Sequence, residues 1–372
     1  MYLKSLTLAI FILANQSILL AQEISSETEQ SDNVKSSYWK RHNGKFAPVP
    51  YINYDRTLGF TLGALPMVMY NLSEKDTISP QSITGGLFMY TTNKSWLGIF
   101  FNKTYFNEDK YRATLVGGIG VTNYQFFMSG PFDIGYIDYN VDADFFLIEL
   151  QRKVIGNLYA GLNYKYAKMI TVIPEFESPD GEIIPRQEQT EILKGLGAII
   201  SYDGRDAVYY PYNGMITNLN YSTFPEFMGN ELISQKVELD YNQFFAFRKK
   251  QDVLAARFYG GAGIGELSFN QEFVVGGKDI RGYSQGKYRG EQIVALQAEY
   301  RWNPYEKIGF IGFIGSAMVF NGINSEDDGK LLPAIGAGFR YTVFPENHMN
   351  VGMDIAAGKD DWGLYFRIGE AF

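Results

Sequence analysis

Hydrophobic and polar residues alternate with a period of two along most of the chain from Phe46 to Phe372. Clear examples are Glu231–Arg248, Ile293–Trp302 and Ile335–Val343, in which most alternate residues are apolar. Successive side chains of a β-strand point to opposite faces, so this alternation predicts strands with one apolar and one polar face. The predicted fold class is therefore all-β.

The lengths of these strands distinguish a membrane barrel from a soluble β-sandwich. Strands of soluble proteins are most often about 5–6 residues long, whereas a tilted strand that crosses a bilayer needs about 9–11. The alternating runs in this chain reach the longer class. An outer-membrane barrel turns the apolar face of each strand to lipid and the polar face to the lumen. The sequence therefore predicts a transmembrane β-barrel, surrounded by lipid, in the outer membrane of a Gram-negative cell.

The alternation defines sixteen antiparallel strands, an even number as in bacterial barrels. They lie near residues 48–54, 59–70, 82–92, 95–107, 111–121, 143–153, 157–168, 190–202, 214–223, 231–247, 252–265, 292–302, 309–320, 332–343, 347–357 and 361–372. An even count places both ends of the barrel in the periplasm, with short turns there and longer loops outside. The predicted turns are Asn107–Lys110, Asn303–Lys307 and Pro345–His348, and the predicted loops are Thr122–Asp142, Thr171–Gln189 and Asn321–Lys330.

The first residues of the chain predict a secretory signal peptide over residues 1–21. Lys4 supplies positive charge, Leu6–Leu20 is largely apolar, and Ala21 offers a small residue for cleavage. A membrane anchor would need about 20 apolar residues, more than this run contains. Residues 22–45 are rich in Ser, Glu and Gln and predict a flexible polar periplasmic tail. The barrel is therefore predicted to span residues 46–372.

Composition argues against several other classes of protein. The chain has 372 residues, a net charge of −8 and no cysteine. The negative charge argues against nucleic-acid binding, and without cysteine no disulfide bond can form. After the signal peptide no apolar run is long enough for a transmembrane helix. No segment shows a convincing amphipathic helical period, which a soluble enzyme of this length would contain.

Residues suited to catalysis or metal binding are sparse. The only histidines are His42, in the polar tail, and His348, in a predicted periplasmic turn. Neither is placed to activate a serine that faces the lumen or the lipid, which leaves an acidic general base as the remaining catalytic option. The chain contains no G-x-S-x-G segment and no cluster of Cys or His ligands. The sequence predicts no enzyme, no metal site and no cofactor.

One segment between two predicted strands, Glu266–Gly290, is too rich in glycine and charge to be a strand itself. It contains the run Gly-Gly-Lys-Asp-Ile-Arg-Gly-Tyr at residues 276–283, whose glycines permit a tight fold-back. Taken alone, such a loop is most often an ordinary hairpin tip. Two further segments of the chain give it more weight.

Three short segments occur in a defined order along the chain. The turn motif comprises Asp203, Arg205, Asp206, Pro211 and Gly214; the loop motif comprises Gly276, Gly277, Ile280, Arg281, Gly282 and Tyr283; the ending comprises Phe366, Ile368, Gly369 and Phe372. Together they resemble the surface-antigen superfamily of outer-membrane barrels, with its BamA/TamA-like insertases and two-partner-secretion relatives. The resemblance covers almost all of Phe46–Phe372. It implies a loop that folds into the lumen and an ending, with Phe366 and Phe372 facing lipid, that the barrel-assembly machinery reads.

The resemblance also implies an ion pair inside the barrel. In that family the loop arginine contacts acidic side chains of the inner wall, and Glu299 is the acid that matches Arg281. The alternation independently turns Glu299 toward the lumen. A second acid usually lies one strand later, where this chain has Gly315, so a looser attachment is expected. An equally weighted alternative is that the pair only holds a plug loop in place, because buried ion pairs can serve conformational specificity alone.

The function implied by the resemblance is assistance to polypeptide or lipid that enters or crosses the membrane. The residues before Phe46 are too few for a periplasmic POTRA domain, so a barrel-only member with a separate periplasmic partner is expected. The alternative is a passive or gated pore with the loop as a structural plug. Pro48 and Pro50 cannot donate to a strand ladder. The first and last strands should therefore form the weakest pairing, unless these prolines precede the strand.

Overall fold

The computed structural model describes residues 45–55, 58–128, 135–177, 183–208, 210–248, 252–276, 279–284, 288–322, 328–344 and 349–372. The predicted signal peptide and the polar tail up to residue 44 lie outside the described residues, as do Gly277, His42 and the predicted turn Pro345–His348. In the described ranges, no helix is both long and apolar enough to span a membrane.

Sixteen antiparallel strands form a closed barrel, which confirms the predicted fold class. The strands are β1 Lys45–Asp55, β2 Gly59–Tyr70, β3 Ser82–Thr91, β4 Trp96–Phe106, β5 Tyr111–Met128, β6 Gly135–Ile155, β7 Leu158–Ile173, β8 Gln187–Asp203, β9 Gly214–Phe224, β10 Ser234–Phe247, β11 Asp252–Gly265, β12 Gln292–Trp302, β13 Ile308–Phe320, β14 Leu332–Phe344, β15 Met349–Gly358 and β16 Asp361–Ile368. Because neighbouring strands run in opposite directions, the start of β1, the end of β16 and the turns 107–110 and 303–307 share one end of the barrel. This end is called the short-turn end below.

Side-chain exposure alternates along the strands as the sequence predicts. In β3, Phe88 is 63% exposed and its neighbour Leu87 is 2% exposed. In β12, Leu296 is 56% exposed, whereas Glu299 on the opposite face is 0% exposed. The exposed apolar side chains form the outer face, which lipid covers, and the buried positions point into the barrel.

The inner face of β2 to β9 contains a large apolar group beside its polar side chains, so the expectation of a polar lumen holds there only in part. Inward-pointing residues of β2 to β9 form one buried group, called the apolar inner cluster. It includes Leu65, Met67, Met69, Ile83, Leu87, Met89, Leu97, Ile99, Phe101, Val116, Val141, Ala143, Phe145, Leu147, Ala167, Met169, Leu193 and Phe224. Side chains of this kind pack densely and keep water away from the wall.

Four neighbouring strands are much longer than a bilayer crossing requires. β5, β6, β7 and β8 contain 18, 21, 16 and 17 residues. Thr122–Asp142, predicted as a loop, is therefore largely strand among its described residues, which corrects the prediction. Thr171–Gln189 contains the ends of β7 and β8 and a short two-stranded ribbon. The ladder between β5 and β6 continues through the described part of Thr122–Asp142, but outward positions such as Asp138 and Asp142 are polar. The apolar alternation that identifies the shorter strands is therefore lost.

The first and last strands barely pair. β1 pairs with β2 along all 11 of its residues, but in the described part of the chain it pairs with β16 through Tyr54 and Leu364 alone. The other neighbouring barrel strands share 8 or more paired positions. Pro48 and Pro50 lie inside β1 rather than before it, and they remove two backbone donors from this strand. This closure, called the seam below, has the least pairing of the barrel, in agreement with the prediction.

Candidate functional site

The loop between β11 and β12 lies against inward-facing residues of the wall. A short two-stranded ribbon closes its base. Gly276 then adopts a φ of 98°, and its N–H donates to Asp279 Oδ1 at 3.0 Å. Ile280 and Tyr283 are 1% and 2% exposed, and they belong to a buried cluster with side chains of β11 to β14. The loop motif is therefore packed as part of the barrel interior.

Gly282 allows the loop backbone to approach the wall closely. Its φ of 108° lies in the region that favours glycine. A Cβ atom at this position would lie 2.9 Å from the carbonyl carbon of Ala357 in β15. The N–H of Gly282 donates to Tyr365 Oη of β16 at 3.0 Å. A larger residue here would separate the loop from the last two strands.

Tyr283 and Ser284 attach the loop to the rim of β14 to β16. Tyr283 Oη donates to the main-chain oxygen of Pro333 at 2.6 Å and accepts from the N–H of Lys359 at 2.9 Å. The N–H and hydroxyl of Ser284 donate to the two carboxylate oxygens of Asp361 at 2.6 and 3.0 Å. The loop is thus fixed to strands that follow it in the chain.

Arg281 binds two carboxylates of the inner wall. Its Nη2 lies 2.5 Å from Glu299 Oε2 in β12, and its Nη1 lies 2.7 Å from Asp354 Oδ2 in β15. The guanidinium group stacks on the ring of Phe313, with 3.4 Å between the guanidinium carbon and the ring centroid. The Arg281 side chain is 4% exposed and both carboxylates are 0% exposed. The structure thus brings together Arg281 and Glu299, the two residues that the sequence predicts as a pair.

The second acid of this site is Asp354, which the sequence analysis missed. Gly315, where the family pattern expects an acid, lies under the loop: a Cβ there would be 3.1 Å from Cγ2 of Ile280. Asp354 reaches Arg281 from β15 instead. The expected looser attachment is therefore wrong, because Arg281 has two anionic partners. The available signal was the inward position of Asp354 in the alternation of Met349–Gly358.

Three further arginines share these carboxylates. Arg340 Nη1 and Arg367 Nε donate to Asp354 at 2.5 and 3.0 Å. Arg301 Nε donates to Glu299 Oε1 at 2.9 Å, and Arg340 Nε donates to Glu370 Oε2 at 3.0 Å. The whole set is called the arginine network, and it contains Arg281, Arg301, Arg340, Arg367, Glu299, Asp354 and Glu370. It joins the loop to β12, β14, β15 and β16.

The residues after β16 turn into the barrel instead of continuing the strand. β16 ends at Ile368, and Gly369 adopts a φ of 81°. Phe372 packs against four buried residues, Tyr210, Phe244, Val253 and Ala255. Its main-chain oxygen accepts from Arg301 Nη2 at 2.5 Å. The prediction that Phe372 faces lipid on the last strand is therefore wrong. Gly369–Phe372, called the tail segment below, is held by side chains of the interior.

Phe366 and Ile368 remain in β16. Phe366 pairs with Met353 in the ladder between β15 and β16. Its side chain is half-buried and packs against the apolar inner cluster. Ile368 pairs with Val351 at the end of the same ladder. Neither Phe366 nor Phe372 is therefore a fully lipid-exposed side chain.

The turn motif begins with a polar cluster at the short-turn end. Arg205 Nε and Nη2 donate to the two carboxylate oxygens of Asp203 at 2.8 and 3.0 Å. Arg112 of β5 binds the same carboxylate at 3.1 Å. These contacts fix the start of the turn from β8 to β9 and connect it to β5.

The rest of the turn motif shapes the return of the chain to β9. Asp206 Oδ1 accepts two backbone N–H groups at 2.9 and 3.1 Å, Pro211 is buried, and Gly214 opens β9 with a φ of 103°. The turn carries Tyr210, whose hydroxyl accepts from Asn303 Nδ2 at 2.8 Å. Burial raises the pKa of Tyr210 above its usual value, so the ring is uncharged where Phe372 contacts it.

The chain matches a family of known barrels. A family model described as the Omp85 superfamily domain matches residues 80–372. No curated protein matches the chain. Its structure is similar to BamA from Haemophilus ducreyi lacking POTRA domains 1–3, with a TM-score of 0.57 and 13% sequence identity. That likeness covers 99% of this chain and 82% of the BamA chain.

Two CdiB structures are similar as well. CdiB from Acinetobacter baumannii has a TM-score of 0.58 and 14% identity, over 88% of this chain and 59% of that one. CdiB from Escherichia coli has a TM-score of 0.57 and 8% identity, over 86% of this chain and 61% of that one. The chain therefore spans about three fifths of each CdiB protein. At such low identities the likeness shows the shared barrel fold.

Proposed function

We propose a function from the premise that this chain belongs to the Omp85 superfamily and is an outer-membrane barrel: it assists polypeptide or lipid to enter or cross the membrane at its seam. Delivery of the client is part of the same proposal and is assigned to a separate periplasmic partner. The chain's own insertion is assigned to the barrel-assembly machinery.

The observation that carries this proposal is the single paired position between β1 and β16. Unpaired backbone N–H and C=O groups cannot be satisfied by lipid, so an open strand edge is costly in a bilayer. The same edge is a template for pairing with another strand. A client that enters as a strand, or a lipid that passes between the strands, would therefore meet the least resistance here.

A second candidate function is a gated pore with the loop as its plug. The observation that favours it is the attachment of Arg281 to Glu299 and Asp354. An open passive pore fits less well, because the apolar inner cluster and the docked loop both occupy the interior. Planar bilayer recordings separate these functions. With the loop as a plug, wild type conducts little and Arg281→Ala gives larger, noisier openings. Steady, large conductance by wild type would favour the passive pore and exclude the insertion role.

A reversible cross-link across the seam tests the insertion role directly. Tyr54 and Leu364 are paired across the seam, and Leu364 is itself paired with Ile355, which is 55% exposed on the outer face. The chain has no cysteine, so Tyr54→Cys with Leu364→Cys provides a single cross-linkable pair. The matched control is Ile335→Cys with Ala357→Cys, which are paired on the outer face between β14 and β15. Both pairs are expressed in cells as the sole copy of the protein.

We expect that cells with the oxidised seam pair behave like cells that lack the protein. Reduction of the disulfide should restore function. The readout is the abundance of outer-membrane proteins and lipids, measured by mass spectrometry, together with growth. Oxidation of the control pair leaves all three unchanged, because those strands already share a continuous ladder. Normal function with the seam cross-linked would exclude a role for seam opening.

A further inference from the structure

We propose that the pocket holding the tail segment is a peptide-binding site, specific for an extended segment with a carboxylate two residues before an aromatic ring. In this structure the chain's own residues 370–372 occupy the site. A segment of another polypeptide with the same side chains replaces them. This inference goes beyond the proposed function and does not depend on it.

The occupant is separated from the barrel wall. β16 ends at Ile368, and the positive φ of Gly369 directs the next residues away from the strand. The N–H of Gly369 donates to the main-chain oxygen of Asn350 at 2.7 Å, which is the last backbone hydrogen bond to β15 among the described residues. The following three residues have no strand partner in the described ladders. The wall of the barrel is therefore complete without them.

The first subsite binds a carboxylate. Glu370 is 5% exposed, and its Oε2 accepts from Arg340 Nε at 3.0 Å. Its Oε1 accepts from Asn350 Nδ2 at 2.7 Å, and Asn350 Oδ1 is itself bonded to the hydroxyl of Thr342 at 2.8 Å. Both carboxylate oxygens are thus matched by donors whose positions β14 and β15 fix. Such a charge-assisted arrangement selects an acid over its amide.

The second subsite binds an aromatic ring. Phe372 packs against the turn residue Tyr210 and against Phe244, Val253 and Ala255 of β10 and β11. The guanidinium carbons of Arg257 and Arg301 lie 5.8 and 5.9 Å from the centroid of the Phe372 ring. Cations at this distance are attracted to an aromatic face. The subsite therefore combines apolar walls with two cations, which favours an aromatic residue over an aliphatic one.

The main-chain oxygen of the aromatic residue itself is recognised by Arg301. Its Nη2 donates to the main-chain oxygen of Phe372 at 2.5 Å. Its Nη1 is buried and has no hydrogen-bond partner among the described atoms, although the side chain is 1% exposed. A buried donor without an acceptor is costly. The pocket thus keeps one further buried donor beside the one that binds Phe372.

Occupancy of the pocket is linked to the loop through two chains of contacts. Glu370 binds Arg340, which shares Asp354 with Arg281. Phe372 binds Arg301, which shares Glu299 with Arg281. Emptying the pocket leaves Arg301 and Arg340 without one partner each, so they compete with Arg281 for the two carboxylates. A bound peptide therefore stabilises the docked loop from the short-turn end.

A synthetic hexapeptide tests the site. The probe is Arg-Ile-Gly-Glu-Ala-Phe, the sequence of residues 367–372, with a fluorophore at its N-terminus. The protein is the full chain, folded in detergent, as wild type and as the double variant Glu370→Gln with Phe372→Ala. The matched control peptides carry Gln in place of Glu, or Leu in place of Phe. Fluorescence anisotropy reports binding, and hydrogen exchange of residues 279–284 reports loop docking.

We expect the double variant to bind the probe at least about tenfold more tightly than wild type, because a tethered occupant competes at high effective concentration. Both control peptides bind more weakly than the probe. Exchange of residues 279–284 is faster in the double variant and slows again when the probe binds. Absent binding to the folded double variant, or equal binding to both proteins, overturns the proposal.

A second variant covers the case in which the double variant does not fold. Phe372→Leu retains apolar contact and removes only the aromatic ring. Heat-modifiable migration in gels identifies the folded form of each protein. Phe372→Leu should bind the probe more tightly than wild type, because its own tail segment competes less well for the second subsite. The same affinity for all folded proteins would assign the tail segment a purely structural role.

Discussion

Inward-facing side chains pack as an apolar cluster in the β2 to β9 half of the barrel, whereas in the β12 to β16 half they form the arginine network beneath the loop. The same fold thus fills its interior in two ways. Apolar contacts have no preferred direction, and each adds a small amount to stability. A buried ion pair depends on its partner, because a charge left without one is strongly destabilising. The first half should therefore behave as a stable wall and the second as a set of linked attachments.

The largest expected effect concerns the acid that three arginines share. Asp354→Asn keeps the shape of the side chain and removes the charge that Arg281, Arg340 and Arg367 bind. Because the carboxylate is 0% exposed, we expect the free energy of unfolding to fall by about 3–5 kcal/mol. Urea unfolding of the folded barrel in lipid micelles measures the change.

The matched control for that substitution is Asp142→Asn, on the exposed outer face of β6. Its effect should stay within about 0.5 kcal/mol, as is usual for surface positions. Equal losses for the two variants would mean that the arginine network does not stabilise the barrel, and the contrast between the halves would disappear.

The apolar half gives the next largest effect. Leu97→Ala removes a side chain that is 2% exposed, so it should lower the free energy of unfolding by about 2–3 kcal/mol through lost contacts and a cavity. Leu150→Ala, on the outer face with 59% exposure, should cost about 1 kcal/mol or less. The same urea titration compares them. Similar small losses would show that Leu97 lines a wet lumen rather than a packed interior.

A substitution of Gly282 tests the attachment of the loop through steric fit, without a change of charge. Gly282→Ala places a methyl group against Ala357 and requires an alanine at a φ of 108°, so we expect a loss of about 1–3 kcal/mol. Gly312→Ala is the control, because a Cβ there meets nothing within 4 Å. Bilayer recordings should show noisier current for Gly282→Ala alone. Identical records for both variants would contradict close docking of the loop.

The smallest effect lies at the rim of the apolar half. Asp76 accepts hydrogen bonds from Ser79 and from the N–H of Glu108, and these lower its pKa below the usual value of 3.8. Because the pKa of this carboxyl group is lower in the folded than in the unfolded state, its charged form stabilises the folded protein above about pH 4. This stabilisation is lost as the pH falls through the pKa of the folded state. Asp76→Asn should therefore lower the melting temperature slightly at pH 7. The difference should shrink as the pH falls below 3.8. A difference independent of pH would exclude this carboxylate as its source.

The barrel itself was predictable from the sequence because lipid imposes a simple pattern on each strand. The ends of β5 to β8 that lie away from the short-turn end lack this apolar alternation. The sequence therefore predicts the loops Thr122–Asp142 and Thr171–Gln189 there. The same limit applies to the interior. The alternation identifies which residues point into the barrel. It does not identify their neighbours across the lumen, because the curvature of the whole barrel determines those contacts.

The candidate site shows this limit residue by residue. Arg281 and Glu299 were identified through a family resemblance together with alternation. Asp354 was missed because it lies on β15, three strands beyond Glu299 in the barrel order. Phe372 was assigned to the membrane because it follows a regular strand, whereas the positive φ of Gly369 redirects it. Long-range contacts of this kind depend on closure of the barrel, and local sequence does not report them.

The partners of the loop also fix the order in which the protein can assemble. Gly282, Tyr283 and Ser284 come before β12 in the chain, but their partners Tyr365, Lys359 and Asp361 lie in the last two strands or the turn between them. The sequence separations are 76 to 83 residues, and contacts of such separation form late in folding. Until β15 and β16 are in place, Arg281 lacks Asp354. Docking of the loop is therefore the closing event of assembly and marks a barrel whose last strands are correctly registered.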